Sequence, residues 1–163
     1  MLLEEFENTS AVIEPTDKAI RGGGEVCETM IFSFNGEIVD RVRQLPESRE
    51  GGYLQTLNGR HPWYILERDG VRVAVMLAVI GAPMAVGHLE ELKACGFENF
   101  IVLGSCGVLD KSLAADKIIL PSSALRDEGT SYHYAPASGE ISYDPASLLT
   151  MEEALDQAGI EHV

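Results

Sequence analysis

Phe100-Ile101-Val102-Leu103-Gly104-Ser105-Cys106-Gly107-Val108 is the stretch whose reading decides the fold. Four apolar residues stop abruptly at a group of small ones. The run predicts a parallel strand buried on both faces, because a half-exposed strand would alternate apolar with polar side chains. The small residues predict a turn in which backbone N–H groups can point at a ligand. In open α/β sheets ligands lie just beyond the carboxyl ends of the strands. Gly104, Ser105, Cys106 and Gly107 are therefore the first candidate site.

Working upstream, Met84 to Cys95 predicts a helix, with Ala85, His88, Leu89 and Leu92 on one face and Gly96 as its stop. His88 on that face reads as a packed or interface histidine rather than a catalyst. Before it, Trp63–Leu66 and Val71–Ile80 flank Arg68-Asp69-Gly70. Asp-Gly between two apolar runs predicts a hairpin. Strand, helix and strand over 71–103 make a right-handed crossover unit of the α/β class. Thr29–Phe34 predicts another strand, followed by Asn35-Gly36 and a helix from Glu37 to Leu45 that Pro46 ends. Residues 46–61 are polar and read as a loop. Residues 1–28, acidic and holding Pro15 and Gly22-Gly23-Gly24, read as an arm with little regular structure.

Downstream, Lys117–Pro121 predicts a short strand, residues 145–158 a helix, and Ile160–Val163 the start of another strand. Between them lies Arg126-Asp-Glu-Gly-Thr-Ser-Tyr-His-Tyr134, rich in groups that donate, accept or titrate. Such a loop serves a site, or is a structural loop in which Arg126 pairs with Asp127 or Glu128.

Composition bounds the partners. The 163 residues carry a net charge of −14 and are 45% hydrophobic. This suits one domain with a real core. It disfavours nucleic acid and anionic membrane surfaces, and an anionic ligand would need a locally positive site. Glu4 and Glu5 stand where a secretory signal would carry basic residues, and no apolar run reaches membrane-spanning length. Cys27, Cys95 and Cys106 lack metal-ligand or redox spacing and suit a reducing compartment. The expectation is a cytoplasmic protein without a metal.

Taken together, Gly81-Ala-Pro83, Glu90-Glu-Leu92, Gly104-Ser-Cys-Gly107 and Arg126–Pro136 resemble, in order and spacing, the nucleoside phosphorylase family. That family includes uridine phosphorylase, hexameric purine nucleoside phosphorylase and the methylthioadenosine nucleosidases. The resemblance runs from about residue 62 to 160, and more loosely from 29. It implies an α/β fold with a mixed, mostly parallel sheet flanked by helices in three layers, forming one domain over 29–163 that is incomplete at its C-terminus. It implies cleavage of the N-glycosidic bond of a uridine or purine nucleoside, with inorganic phosphate as co-substrate and no other cofactor. It also implies a homo-oligomer, a dimer or a hexamer, whose sites borrow residues from a neighbour. Ser105 stands where the family contacts phosphate and ribose. Arg60 lies within a residue of the family's cross-subunit phosphate arginine. Arg126 and His133 would shape the loop near the site.

The sequence departs from that pattern in three places. Val102 occupies the position of a phosphate-directed arginine. Phe34-Asn35-Gly36 replaces a Gly-Asp-Pro turn, leaving only Arg41 or Arg43 further along the helix to substitute for its arginine. Family chains also continue well beyond this length, so hydrolysis by water, or binding and assembly without catalysis, are the alternatives. A dinucleotide-binding domain is disfavoured because Gly104-Ser-Cys-Gly107 lacks the three-glycine fingerprint.

Overall fold

The computed structural model describes residues 6–17, 22–114 and 116–163, and Glu4 and Glu5 lie outside them. The chain divides into two compact units, Thr9–Ser105 and Cys106–Val163, with residues 6–8 counting with the latter.

The first unit is built on a six-stranded sheet. Its elements are β1 (Gly22–Gly24), β2 (Thr29–Ser33), α1 (Gly36–Gln44), β3 (Ser48–Thr56), β4 (Gly59–Arg68), β5 (Val71–Leu77), α2 (Ala82–Cys95) and β6 (Asn99–Leu103). The strand order is β1-β3-β4-β5-β2-β6. The sheet is mixed, as expected. Its parallel ladders join β2 to β5 and to β6, whereas β1, β3, β4 and β5 pair antiparallel.

The expected hairpin is the β4–β5 connection. Asp69 and Gly70 take φ values of 52° and 79°, the left-handed pair that a tight two-residue turn requires. The stretch expected to be a loop is instead β3. Its polar residues hide a packing demand. A Cβ at Gly52 would lie 2.4 Å from Trp63 Cζ2 and 2.5 Å from the Gly23 carbonyl. Glycine lets the indole and β1 close on the strand from two sides, beside a register shift between Glu50 and Gly52. Likewise the expected arm supplies β1, an edge strand whose three glycines all have positive φ. Trp63 Nε1 donates to the Glu25 carbonyl at 2.8 Å, and the Glu25 amide donates to Gly51 O at 2.9 Å. Arg49 Nη2 donates to the Glu25 carboxylate at 2.8 Å, and Arg72 meets the same oxygen.

One face of the sheet carries Met30, Phe32, Leu54, Trp63, Ile65, Ala74 and Met76, packed with Ala85 and Leu92 of α2 and with Phe97. Trp63 meets Phe97 edge to face at 5.5 Å. Each such burial contributes about 1.5–3 kcal/mol. α1 covers the opposite face, burying Val39, with Gly36 against the Leu77 side chain. Helix, sheet and helix make three layers.

β6 departs from its reading as a buried strand. It is the last strand of the sheet, and Val102 is 55% exposed. Apolar composition on both faces is the mark of a flanked strand, but among the described residues only one edge of β6 is paired.

The second unit contains α3 (Lys111–Ala114), β7 (Ser123–Leu125), β8 (Glu140–Ser142) and α4 (Pro145–Gln157). α4 is the expected helix. Asp144 caps it by accepting from the Ser147 amide at 2.9 Å, and Pro145 fits the first turn. The two expected short strands meet each other: Ile118 and His162 form a parallel bridge, and the Leu120 amide donates to Val163 O at 2.8 Å. β7 and β8 pair antiparallel around the Arg126 loop. Among the described residues of this unit, Arg126 alone is buried.

Candidate functional site

Three parallel strands end side by side, β5 at Leu77, β2 at Ser33 and β6 at Leu103. The backbone ties these ends together. The Ala78 amide donates to Ser33 O at 2.7 Å, and the Phe34 amide donates to Leu103 O at 2.8 Å. Ser33, fully buried, turns its hydroxyl onto its own loop: it accepts from the Asn35 amide at 3.1 Å and donates to Asn35 O at 3.2 Å. Asn35 then caps α1, its Oδ1 accepting from the Glu37 amide at 2.9 Å. α2 opens at the same end, after Gly81 (φ 109°), with no side-chain cap.

Two helix N-termini therefore open beside the ends of the strands. Their partial positive charge favours an anion there despite the overall −14. Glu37, in the first turn of α1, opposes this at the rim.

From this end Gly104 and Ser105 leave β6, both exposed. Neither Gly104 nor Gly107 has a positive φ. A Cβ at Gly104 would sit 3.9 Å from the Phe34 ring, an ordinary contact. Backbone strain and internal packing thus do not explain the glycine at 104. Cys106 is exposed with a free thiol. Cys27 and Cys95 are partly buried, and burial raises both thiol pKa values above the ordinary range.

Arg60 lies on β4, at the same end of the sheet. In the order β4-β5-β2-β6 it stands three strand spacings from β6, about 14 Å. Its guanidinium is held by Glu50, with Nη1 donating to Oε2 at 3.3 Å, and it lies 4.2 Å above the Tyr53 ring. Hydrogen bonding to Arg60 holds the Glu50 carboxyl below its usual range. The chain's own fold does not bring Arg60 to Ser105. Val102 presents its apolar side chain to solvent.

Arg126 and His133 belong to the other unit. Arg126 Nε donates to Ser131 Oγ at 2.9 Å, Nη1 to Ser138 Oγ at 2.9 Å and to Pro136 O, and Nη2 to Ala135 O at 3.1 Å. The plane stacks on Tyr132 at 4.3 Å. The neutral loop, rather than Asp127 or Glu128, receives the guanidinium. Glu128 instead accepts from the Thr130 amide at 2.7 Å, and hydrogen bonds from Ser131 and Thr130 lower its pKa. His133 ends a short 3-10 turn, Ser131–His133, and is exposed.

Sequence reasoning missed Ser33 and Asn35, which fix the loop beside the site. A polar residue closing an otherwise apolar strand was the available signal.

With this geometry in place, comparison with known proteins is decisive at the family level. The family profile described as the phosphorylase superfamily matches residues 30–163. The chain belongs to the phosphorylase superfamily. Over 111 residues it is 30% identical to a guanosine phosphorylase of Halorubrum lacusprofundi, covering 68% of this chain and 45% of that protein. Over 143 residues it is 27% identical to a uridine phosphorylase of Thermococcus kodakarensis, covering 85% and 49%. The chain spans about half the length of these curated relatives. Among solved structures, purine nucleoside phosphorylase from Toxoplasma gondii, in complex with immucillin-H, superposes with a TM-score of 0.71 at 20% identity, covering 85% of this chain and 55% of that one. Uridine phosphorylase from Vibrio fischeri gives 0.68 at 23% identity, covering 84% and 56%. These likenesses show that the three-layer fold is the phosphorylase fold. Among the described residues no helix is long and apolar enough to cross a membrane, and no cluster of His, Cys, Asp and Glu has metal-binding geometry.

Proposed function

We propose that this chain carries the phosphate- and ribose-facing part of a nucleoside phosphorylase acting on uridine or a purine nucleoside. In that reaction a phosphate oxygen attacks the anomeric carbon as the C–N bond breaks through an oxocarbenium-like sugar. The sugar leaves as its 1-phosphate, and the departing base takes up a proton. The backbone amides of Gly104 to Gly107 and the Ser105 hydroxyl would hold phosphate or the ribose hydroxyls. Arg60 would serve a neighbouring subunit's site, and Arg126 and His133 would order the loop beside one. Residues 29–163 then belong to one phosphorylase domain, within a cytoplasmic dimer or hexamer that needs no cofactor beyond phosphate.

The observation that carries this reading is the position of Ser105. It emerges from β6 at the end of the sheet where three parallel strands stop and two helices begin. The names of the relatives, guanosine and uridine phosphorylase, agree with it.

A second reading is favoured by two observations: Val102 supplies no cation, and Arg60 is already held by Glu50. The attacking group would then be water, or the chain would bind and assemble without turnover. Assaying release of base from a panel of nucleosides, with and without phosphate, separates these. Release that requires phosphate supports phosphorolysis, and release without it supports hydrolysis. No release under either condition, together with nucleoside binding by calorimetry, leaves a binding role. Neither release nor binding overturns the site.

A further inference from the structure

His88 lies on the sheet side of α2 and is 2% exposed, and neither of its ring nitrogens has a hydrogen-bond partner. A buried imidazole normally satisfies at least one nitrogen, and leaving both bare costs free energy. The contact it does make is with a second histidine. His61, on β4, meets it edge to face with ring centroids 4.7 Å apart and planes at 60°. His61 Nε2 is shared with Thr56 Oγ1 of β3 at 2.9 Å. The pair thus joins α2 to the β3–β4 hairpin, on the face that also holds Trp63 and Leu54.

We infer that the His61–His88 contact is a proton-sensitive latch, closed when His88 is neutral and released when it takes up a proton. A proton on His88 would place a cation among apolar groups with no acceptor on its ring nitrogens. Two imidazoliums at this distance would repel each other outright. The titratable groups coupled to the pair are Glu91 on α2, which interacts with His61, and through it Glu90 and Cys95 on the same helix, while the short 3-10 turn packed on α2, Pro15–Asp17, ends at Asp17. None of them hydrogen bonds to His88. Burial, then the charge of His61, pushes the His88 pKa below its ordinary value. Burial, then the charge of Glu90, raises that of Glu91, against the opposing pull of His61.

The sign follows. The folded chain holds the His88 proton less tightly than the unfolded chain, so the latch is fully closed above about pH 6.5 and weakens as the pH falls below it. What it releases is α2, which links β5 to β6 and hence to the turn at Ser105. Acidification would loosen the helix while carboxylates are still ionised.

The sequence contains one tryptophan, Trp63, two residues from His61 and on the same face, so its fluorescence reports on this contact. The test is Trp63 emission and helical circular dichroism of the chain from pH 8 to pH 5. The expected result is a reversible transition with its midpoint below about pH 6.5. His88→Leu, which fills similar space and cannot ionise, should abolish it, leaving only acid unfolding below about pH 4.5, where carboxylates protonate. A transition of unchanged midpoint in His88→Leu, or none in the native chain, would overturn the proposal. If His88→Leu does not fold, the His88 ring proton in an NMR titration of the native chain decides. Titration only together with loss of native shifts in α2 supports the latch, and titration within an unchanged native spectrum refutes it.

Discussion

Arg60, whose register partner on β3 is Gln55, reaches diagonally over the Tyr53 ring to form a two-pronged ion pair with Glu50, and the guanidinium that could have served an anion is occupied by a carboxylate of its own chain. With Val102 apolar, the Ser105 turn lacks a cation on its own strand. Val102→Arg should therefore strengthen phosphate binding by about 1.5–3 kcal/mol, the value of a charge-assisted hydrogen bond. That is roughly a ten- to hundredfold change in Kd. Phosphate titration by calorimetry measures it. An unchanged Kd would place the anion site elsewhere.

Ser105→Ala isolates the hydroxyl. Because Ser105 is exposed, the substitution should leave stability within about 0.5 kcal/mol. Binding of phosphate or nucleoside should weaken by about 1.5–3 kcal/mol. Parallel losses in melting temperature and affinity would mark the hydroxyl as structural.

Gly52→Ala tests the packing of β3. The added methyl must displace either the Trp63 ring or the Gly23 backbone. We expect a loss of about 1–3 kcal/mol in urea unfolding, together with a change in Trp63 emission. A variant as stable as the parent would show that β1 and Trp63 do not close on this strand.

Arg126→Lys tests the loop of the second unit. Lysine keeps the charge but cannot reach Ser131, Ala135, Pro136 and Ser138 together. We expect a loss of about 1–3 kcal/mol of local stability, read as faster hydrogen exchange at the Ser131, Tyr134 and Ala135 amides. Unchanged exchange at these amides would show that the guanidinium does not organise the loop.

The thiols should separate by access. Cys106 is exposed, while burial raises the pKa of Cys27 and Cys95, so their thiolates are scarcer at a given pH. A chromogenic disulfide reagent at pH 8 should modify one thiol rapidly, and Cys106→Ser should remove that fast phase.

How much of this could be read beforehand depended on whether the cause was local. The β4–β5 turn was legible because Asp69-Gly70 states its own geometry. The α2 face was legible from its period, and His88 as a packed histidine came with it. Its partner was not, since His61 ends the polar stretch read as a loop, and only its place on β4 opposite Leu54 brings the rings together. β3 was hidden because glycines and charges are poor strand formers, and their justification lies in Trp63 and Gly23, distant in sequence. The end of the sheet carrying Ser105 could be found from the apolar run alone. The pairing of Arg60 with Glu50 needed the hairpin.

The exposed flank of β6 has a consequence for the protein in solution. A strand with a free row of N–H and C=O groups and with apolar side chains on both faces is a template for another strand, including one from a second molecule. Against this stands the charge of −14, which drives copies apart. The two effects differ in range. Repulsion acts over a Debye length of about 10 Å at 0.1 M salt and only about 3 Å at 1 M, whereas strand pairing acts at contact and is little screened. Colloidal stability should therefore be a property of ionic strength: the chain stays dispersed in dilute buffer and self-associates as salt is raised, the reverse of a protein held together by ion pairs.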